Sequence, residues 1–148
     1  MTQAKHLGYT YWFELYLMRD TYSSEDWSKM CLAISQYIGF FRSWMVLIHI
    51  QDNTVYYYVG ANKDIGTLSN NLDGVVIRPV DASVINPPKN TTSERFIQFV
   101  PGGNILDVRE KYQVKRGKDL EWMSVSIRTI NVEKALCDVQ FCFKDKAD

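Results

Sequence analysis

The stretch WMVLIHIQDNTVYYYVG, residues 44–60, carries two apolar segments around the small polar pair Asp52-Asn53. Because Asp and Asn tolerate the positive φ of a tight two-residue turn, this pattern predicts an antiparallel β-hairpin. The turn fixes the register, and the predicted cross-strand pairs are Ile50 with Val55, Ile48 with Tyr57, Val46 with Val59, His49 with Tyr56 and Leu47 with Tyr58. Both faces of this hairpin are apolar, so each face needs a cover.

The segments on either side of the hairpin complete a split βαβ pattern. Residues 11–18 alternate with the period of a strand. A capping pair that begins at Ser23 is followed by apolar residues at helical spacing, and Gly39 ends that helix. After the hairpin, residues 64–72 predict a second helix and residues 74–80 a strand. We therefore predict an α+β fold that begins with a ferredoxin-like βαββαβ unit, whose two helices cover one face of a four-stranded sheet.

The rest of the chain predicts a second unit. Residues 95–100 are strand-like, Asn104 predicts the start of a short helix, and the alternation in 121–130 and 137–143 predicts a half-exposed hairpin. This order gives a β-rich βαββ unit packed against the first. Paired prolines and small polar residues separate the two units. The predicted organisation is a first domain at 1–81, a linker at 82–93 and a second domain at 94–148.

The sheet face opposite the predicted helices is rich in aromatic residues. It is expected to carry Trp12, Tyr16, Met18, Leu47, His49, Tyr56 and Tyr58. An apolar patch of this kind marks an interface. Three covers compete for it: the second unit of the same chain, another protein, or stacked nucleic-acid bases.

The base-stacking alternative rests on strand order. RNA-recognition domains share this order and stack bases on aromatic residues of their first and third strands. Here, however, Asp52-Asn53-Thr54 precede the third-strand aromatics, where such domains carry a basic residue and a glycine. Glu14 also lies among the aromatic residues. Binding of RNA or single-stranded nucleic acid is therefore the alternative to protein binding.

Charge and composition limit the classes of partner that we expect for this chain. Seventeen basic and seventeen acidic residues cancel, so the chain has no overall attraction for phosphate or acidic membrane surfaces. A local basic cluster is a candidate contact for phosphate or a partner, although most such clusters are solvated loops. Its members are Lys111, Lys115, Arg116 and Lys118. No window reaches the roughly twenty apolar residues of a membrane span. We therefore predict no membrane insertion. Three cysteines without a CxxC pair predict a reducing, cytoplasmic setting.

Residues suited to catalysis are few. The chain has two histidines, His6 near the N-terminus and His49 on a predicted strand. Glu14 is the acid most worth attention, although a strand carboxylate paired with a basic neighbour, or lying at a wet sheet edge, is several times more common than a general base. The sequence carries none of the common nucleophile, metal or phosphate-loop motifs. We therefore predict a protein that is not an enzyme and that uses no metal and no cofactor.

The region from Tyr11 to Asp81 resembles the small α+β domain that precedes the motor in some conjugation and type IV secretion ATPases. The similar segments are WFELYL at 12–17, the capped helix from Ser24, the hairpin 44–60 and VVIRPVD at 75–81. The chain departs from those ATPases because it has no phosphate-binding loop. The resemblance implies a docking or assembly role in such a machine through protein contacts, and it implies no catalytic residue.

These observations rank the predicted partners from the most to the least expected. A protein comes first, because Trp, Tyr and Met are enriched at contact hot spots. A second copy of the chain comes next, because the second unit leaves a free strand edge at 137–143. Nucleic acid comes third, since the net charge is zero.

Overall fold

The computed structural model describes residues 6–86, 92–101 and 116–146. In these ranges the chain forms seven strands, one α-helix and two short 3₁₀ helices. The main elements are β1 (Tyr11–Leu17), α1 (Ser24–Ile38), β2 (Ser43–Gln51), β3 (Thr54–Ala61), β4 (Val75–Pro79), β5 (Thr92–Pro101), β6 (Lys118–Asn131) and β7 (Lys134–Asp145). The 3₁₀ helices are Gly66–Asn70 and Ala82–Val84. All seven strands belong to one antiparallel sheet, in the order β4-β1-β3-β2-β6-β7-β5.

The hairpin predicted from residues 44–60 is confirmed. All five predicted cross-strand pairs occur between β2 and β3. Asp52 and Asn53 both have positive φ, at 51° and 64°, which is the backbone conformation of the tight hairpin turn. The turn chemistry and the alternation thus determine the register together.

The ferredoxin-like prediction is wrong. In such a unit β2 would end the sheet, but here its outer side pairs with β6, for example Val46 with Val125. The second predicted helix, at 64–72, is only the 3₁₀ helix Gly66–Asn70. This segment contains Gly66, Ser69, Asn70 and Asn71, residue types that disfavour the interior of an α-helix. The described fold is a mostly antiparallel sheet with a single α-helix.

Both predicted domains contribute strands to this sheet. The contact between them is a backbone ladder between β2 and β6 rather than the packing of two separate units. The division of the chain at 82–93 stays a prediction, and residues 87–91 of that linker lie outside the described residues.

The helix α1 covers one face of the sheet. Ser23 and Asp26 form the predicted capping box, and the helix ends at Gly39, which has a φ of 109°. Its buried side includes Met30, Cys31 and Ile34. These residues join a large apolar cluster with inward residues from β1, β2, β3, β4, β6 and β7. We call this side of the sheet the first face.

The second predicted hairpin is also confirmed, as β6 and β7. Val125 and Ile127 point into the first-face core, while Ser124 and Ser126 point to the other side. The free edge predicted at 137–143 is wrong, because β7 pairs with β5 on its outer side. The helix predicted from Asn104 lies outside the described residues. No helix in the described ranges is long and apolar enough to cross a membrane.

Candidate functional site

The side of the sheet opposite α1, the second face, is half covered by the chain itself. Short segments at 6–9 and 80–85 lie across it and form a second buried cluster with the sheet. Its members are Tyr9, Trp12, Leu47, Tyr58, Ile85, Trp122 and Cys142. Residues 6–9 and the segment after β4 therefore cover this half of the second face.

Hydrogen bonds hold the two covering segments in place. The His6 ring nitrogen Nε2 lies 2.8 Å from the Ile85 carbonyl oxygen, and Trp12 Nε1 donates to the His6 carbonyl at 3.2 Å. The Tyr9 hydroxyl lies 3.3 Å from the Ser126 hydroxyl on β6. Trp12, Leu47 and Tyr58 were expected on the open face, but this cover buries all three.

The other half of the second face is open. Tyr16 on β1 is 39% exposed, Tyr56 on β3 is 37% exposed, and Met18 is also exposed. The β1–β3 register, extended by one residue, places Tyr16 opposite Tyr56. His49, on β2, is cross-strand to Tyr56 and half-buried. We call these four residues, Tyr16, Met18, His49 and Tyr56, the open aromatic surface.

His49 is positioned by Trp122 of β6. Their rings are stacked, with centroids 4.0 Å apart and planes 3° apart. Burial lowers the pKa of His49, while the nearby charge of Glu121 raises it and that of Lys144 lowers it. The neutral imidazole is therefore favoured on this surface. Trp122 supports the site, but its own exposed area is small.

Glu14 lies between two tyrosines. Interaction with the Glu14 carboxylate is the main reason that the pKa of Tyr16 is raised, and burial of Tyr16 adds to it. Burial is the main cause of the raised pKa of Tyr58, with the charge of Glu14 contributing. Arg78 lies cross-strand to Glu14, and its guanidinium carbon is 5.1 Å from the Tyr16 ring centroid. This arrangement places a negative and a positive charge beside the open aromatic surface.

The candidates for catalysis are not brought together. Glu14 contacts tyrosines on β1 and β3, whereas His49 lies on β2 and stacks on Trp122. Burial holds the thiol of Cys31 protonated and raises the pKa of Cys137 to about 12. Among the described residues, no group of three His, Cys, Asp or Glu side chains is placed to hold a metal ion. The expectation that the chain is not an enzyme stays a prediction.

The structure describes two of the four residues of the predicted basic cluster. Lys111 and Lys115 lie outside the described residues. Arg116 is exposed, and Lys118 forms an ion pair with Asp145, its cross-strand partner on β7. Half of the cluster is thus placed, and one of those two charges is paired within the chain.

A cleft of about 310 Å³ lies on the other side of the sheet, beside the start of α1. Its charged wall includes Arg19 and Asp26, which form an ion pair at 3.4 Å. The Arg19 guanidinium carbon lies 4.7 Å from the Tyr22 ring centroid. Arg19, Asp26 and Tyr22 therefore contact one another within this wall of the cleft.

Sequence reasoning missed Trp122. Along β6, Met123 belongs to the alternating apolar residues that face the first-face core. Trp122 points to the opposite face, together with Ser124 and Ser126. A tryptophan in the polar phase of a strand was the available signal for an aromatic residue on the second face. Searches against family models, curated proteins and solved structures found no match to this chain.

Proposed function

We propose that the protein is a non-catalytic interaction module that binds another protein through the open aromatic surface. The single observation that carries this proposal is the pair of half-exposed tyrosines, Tyr16 and Tyr56, beside exposed Met18. Within the described residues, segments of the chain cover the neighbouring half of the same face, and Tyr16, Met18 and Tyr56 remain exposed. Tyr and Met are residue types enriched at protein contacts.

The surroundings favour a protein partner. Arg78 lies over the Tyr16 ring and Trp122 stacks on His49, and these contacts limit the orientations of both rings before binding. Rigid aromatic contacts lose little conformational entropy on binding. An assembly role in a conjugation or secretion machine is part of this proposal, and it rests on the sequence pattern from Tyr11 to Asp81.

The second candidate is binding of single-stranded nucleic acid. It is favoured by the positions of Tyr16 and Tyr56 on neighbouring strands, where exposed rings are able to stack on bases. Three observations weigh against it. The Glu14 carboxylate lies beside the surface, where it would repel phosphate. The stacked His49 and Trp122 rings each have one face that is not available to a base, and the chain has zero net charge.

Site-specific photocrosslinking in cells tests the proposal. A photoreactive phenylalanine analogue replaces Tyr56, and the matched control carries it at Phe41, an exposed aromatic residue in the loop after α1. We expect a discrete, nuclease-resistant protein adduct from position 56 and none from position 41. Adding Tyr16→Ala to the same chain should remove the adduct. Nuclease-sensitive adducts, adducts of the chain with itself, or no discrete adduct at position 56 would each overturn protein binding through this surface.

A further inference from the structure

The strand β5 forms one end of the sheet. It pairs with β7 over its ten residues, and no described strand pairs with its outer side. Ile97 and Phe99 project to the second face of this edge and are 59% and 58% exposed. A long edge strand with exposed apolar residues is a template for pairing with another strand.

The opposite edge of the sheet is protected. The strand β4 has only five residues and ends at Pro79, which has no backbone N–H to donate. The Ser69 hydroxyl accepts a hydrogen bond from the Ile77 N–H at 2.7 Å and donates one to the Ile77 carbonyl at 3.2 Å. The backbone N–H and carbonyl of Ile77, in the middle of β4, are thus already bonded within the chain. Of these two sheet edges, β5 is therefore the one that is able to pair with an additional strand.

We propose that β5 pairs antiparallel with β5 of a second copy of this chain, about a two-fold axis that passes beside Ile97. Antiparallel pairing about an axis perpendicular to the sheet places one residue opposite its own copy and keeps the second faces on the same side. With Ile97 at the axis, Arg95 lies opposite Phe99 of the second copy, and Phe99 lies opposite its Arg95. The contact is self-complementary, so it closes as a dimer. The protected β4 edge prevents further growth.

The side chains at this edge suit that register. The Arg95 guanidinium forms two hydrogen bonds with the Asp138 carboxylate, with Nε 2.8 Å from Oδ1. Its charge is therefore balanced within each copy, while most of its side chain remains exposed. A guanidinium held at its edge still offers its plane to an aromatic ring. Phe99 already accepts a cation, since Lys134 Nζ lies 4.2 Å from its ring centroid. The register thus places Arg95 beside Phe99 of the other copy at both ends and Ile97 beside its own copy at the centre. This self-complementarity identifies a second copy of the chain as the strand that pairs with β5.

Sedimentation velocity of the purified chain over a wide concentration range tests the proposal. We expect mass-action dimerisation. Ile97→Lys places two ammonium groups against each other at the axis and should weaken the dimer by about tenfold or more, which corresponds to roughly 1.4 kcal/mol. The matched control is Phe41→Lys, because Phe41 is 69% exposed and its N–H bonds to the Thr129 carbonyl of β6, which β7 separates from β5. This control should leave dimerisation unchanged, and circular dichroism should show that both variants are folded.

A cysteine variant tests the register. Ile97→Cys should form a disulfide-linked dimer under mild oxidation, since paired strands bring a residue and its copy within disulfide range. The native cysteines Cys31, Cys137 and Cys142 are buried, so the native chain serves as the control that should form no such link. A strict monomer at every concentration, a dimer that Ile97→Lys leaves intact, or no link through position 97 would overturn the proposal. Tyr56→Ala should leave the dimer intact, so a failure here is distinct from a failure of the proposed function.

Discussion

The indole ring of Trp12 lies against the backbone of Gly60, its cross-strand partner on β3. A Cβ atom added at position 60 would lie 2.6 Å from Cη2 and 2.7 Å from Cζ2 of that ring. The buried ring belongs to the cluster that closes half of the second face, and its Nε1 anchors the segment at 6–9. Gly60 thus permits the close approach on which this cover depends.

Gly60→Ala should destabilise the protein by about 1–3 kcal/mol, because the new methyl group forces the Trp12 ring out of a packed position. Equilibrium denaturation with urea measures the change. Adding Trp12→Leu removes the clashing ring atoms, so the double variant should lose less stability than the sum of the two single variants. Simple additivity would show that Gly60 and Trp12 are not in contact.

The polar cluster beneath α1 gives a second prediction. Trp44 Nε1 donates to the Ser35 hydroxyl oxygen at 3.0 Å, and the Thr129 hydroxyl lies 2.7 Å from the same oxygen. All three residues are buried. Ser35→Ala leaves the Trp44 donor and the Thr129 hydroxyl without that partner, and should cost about 2–4 kcal/mol. Thr129→Val removes one member and leaves the Trp44 bond, so it should cost less. Equal losses in urea denaturation would contradict this account.

Acid sensitivity should arise in part at the helix cap. The Asp26 carboxylate accepts hydrogen bonds from the Ser23 N–H at 2.8 Å and the Ser23 hydroxyl at 3.0 Å. These bonds, assisted by Arg19, lower the pKa of Asp26. The folded-state pKa is depressed, so this contribution is complete above the unfolded value of about 3.9 and is lost as the pH falls through the folded value. Asp26→Asn should therefore flatten the acid side of the stability profile. A profile identical to that of the native chain would exclude this role.

The His49–Trp122 stack predicts an altered titration. Burial lowers the pKa of His49, so protonation disfavours the folded state, and stability should begin to fall as the pH drops through the ordinary histidine value of about 6.5. Nuclear magnetic resonance measures the imidazole titration directly, and His6→Gln identifies the remaining signal. Trp122→Leu should move the pKa of His49 back toward its ordinary value. A native pKa at or above that value would contradict the burial of this ring.

Local patterns predicted much of the local structure. The Asp52-Asn53 turn gave the β2–β3 register, the Ser23 capping box gave the start of α1, and the alternation of Val125 and Ile127 placed the second hairpin. Each of these features depends on residues close together in sequence. The local period and the turn chemistry are therefore sufficient to predict them.

Long-range pairing was not predictable in the same way. Nothing in the alternation of β2 or β6 specifies that Val46 lies opposite Val125, since any strand of the same period satisfies the same pattern. The covering role of Tyr9 and Ile85 depends on contacts between distant segments. For the same reason, four of the seven residues predicted for the open face belong to the open aromatic surface, while Trp12, Leu47 and Tyr58 are buried.

The central claim is that the second face is closed over Trp12 and Tyr58 and open over Tyr16 and Tyr56. Solvent paramagnetic relaxation measures both halves at once, because a soluble nitroxide broadens the ring signals of exposed side chains. The account predicts strong broadening for Tyr16 and Tyr56 and protection for Trp12 and Tyr58 in the dilute, unbound chain. Equal broadening of all four rings, or protection of Tyr16 and Tyr56, would contradict it.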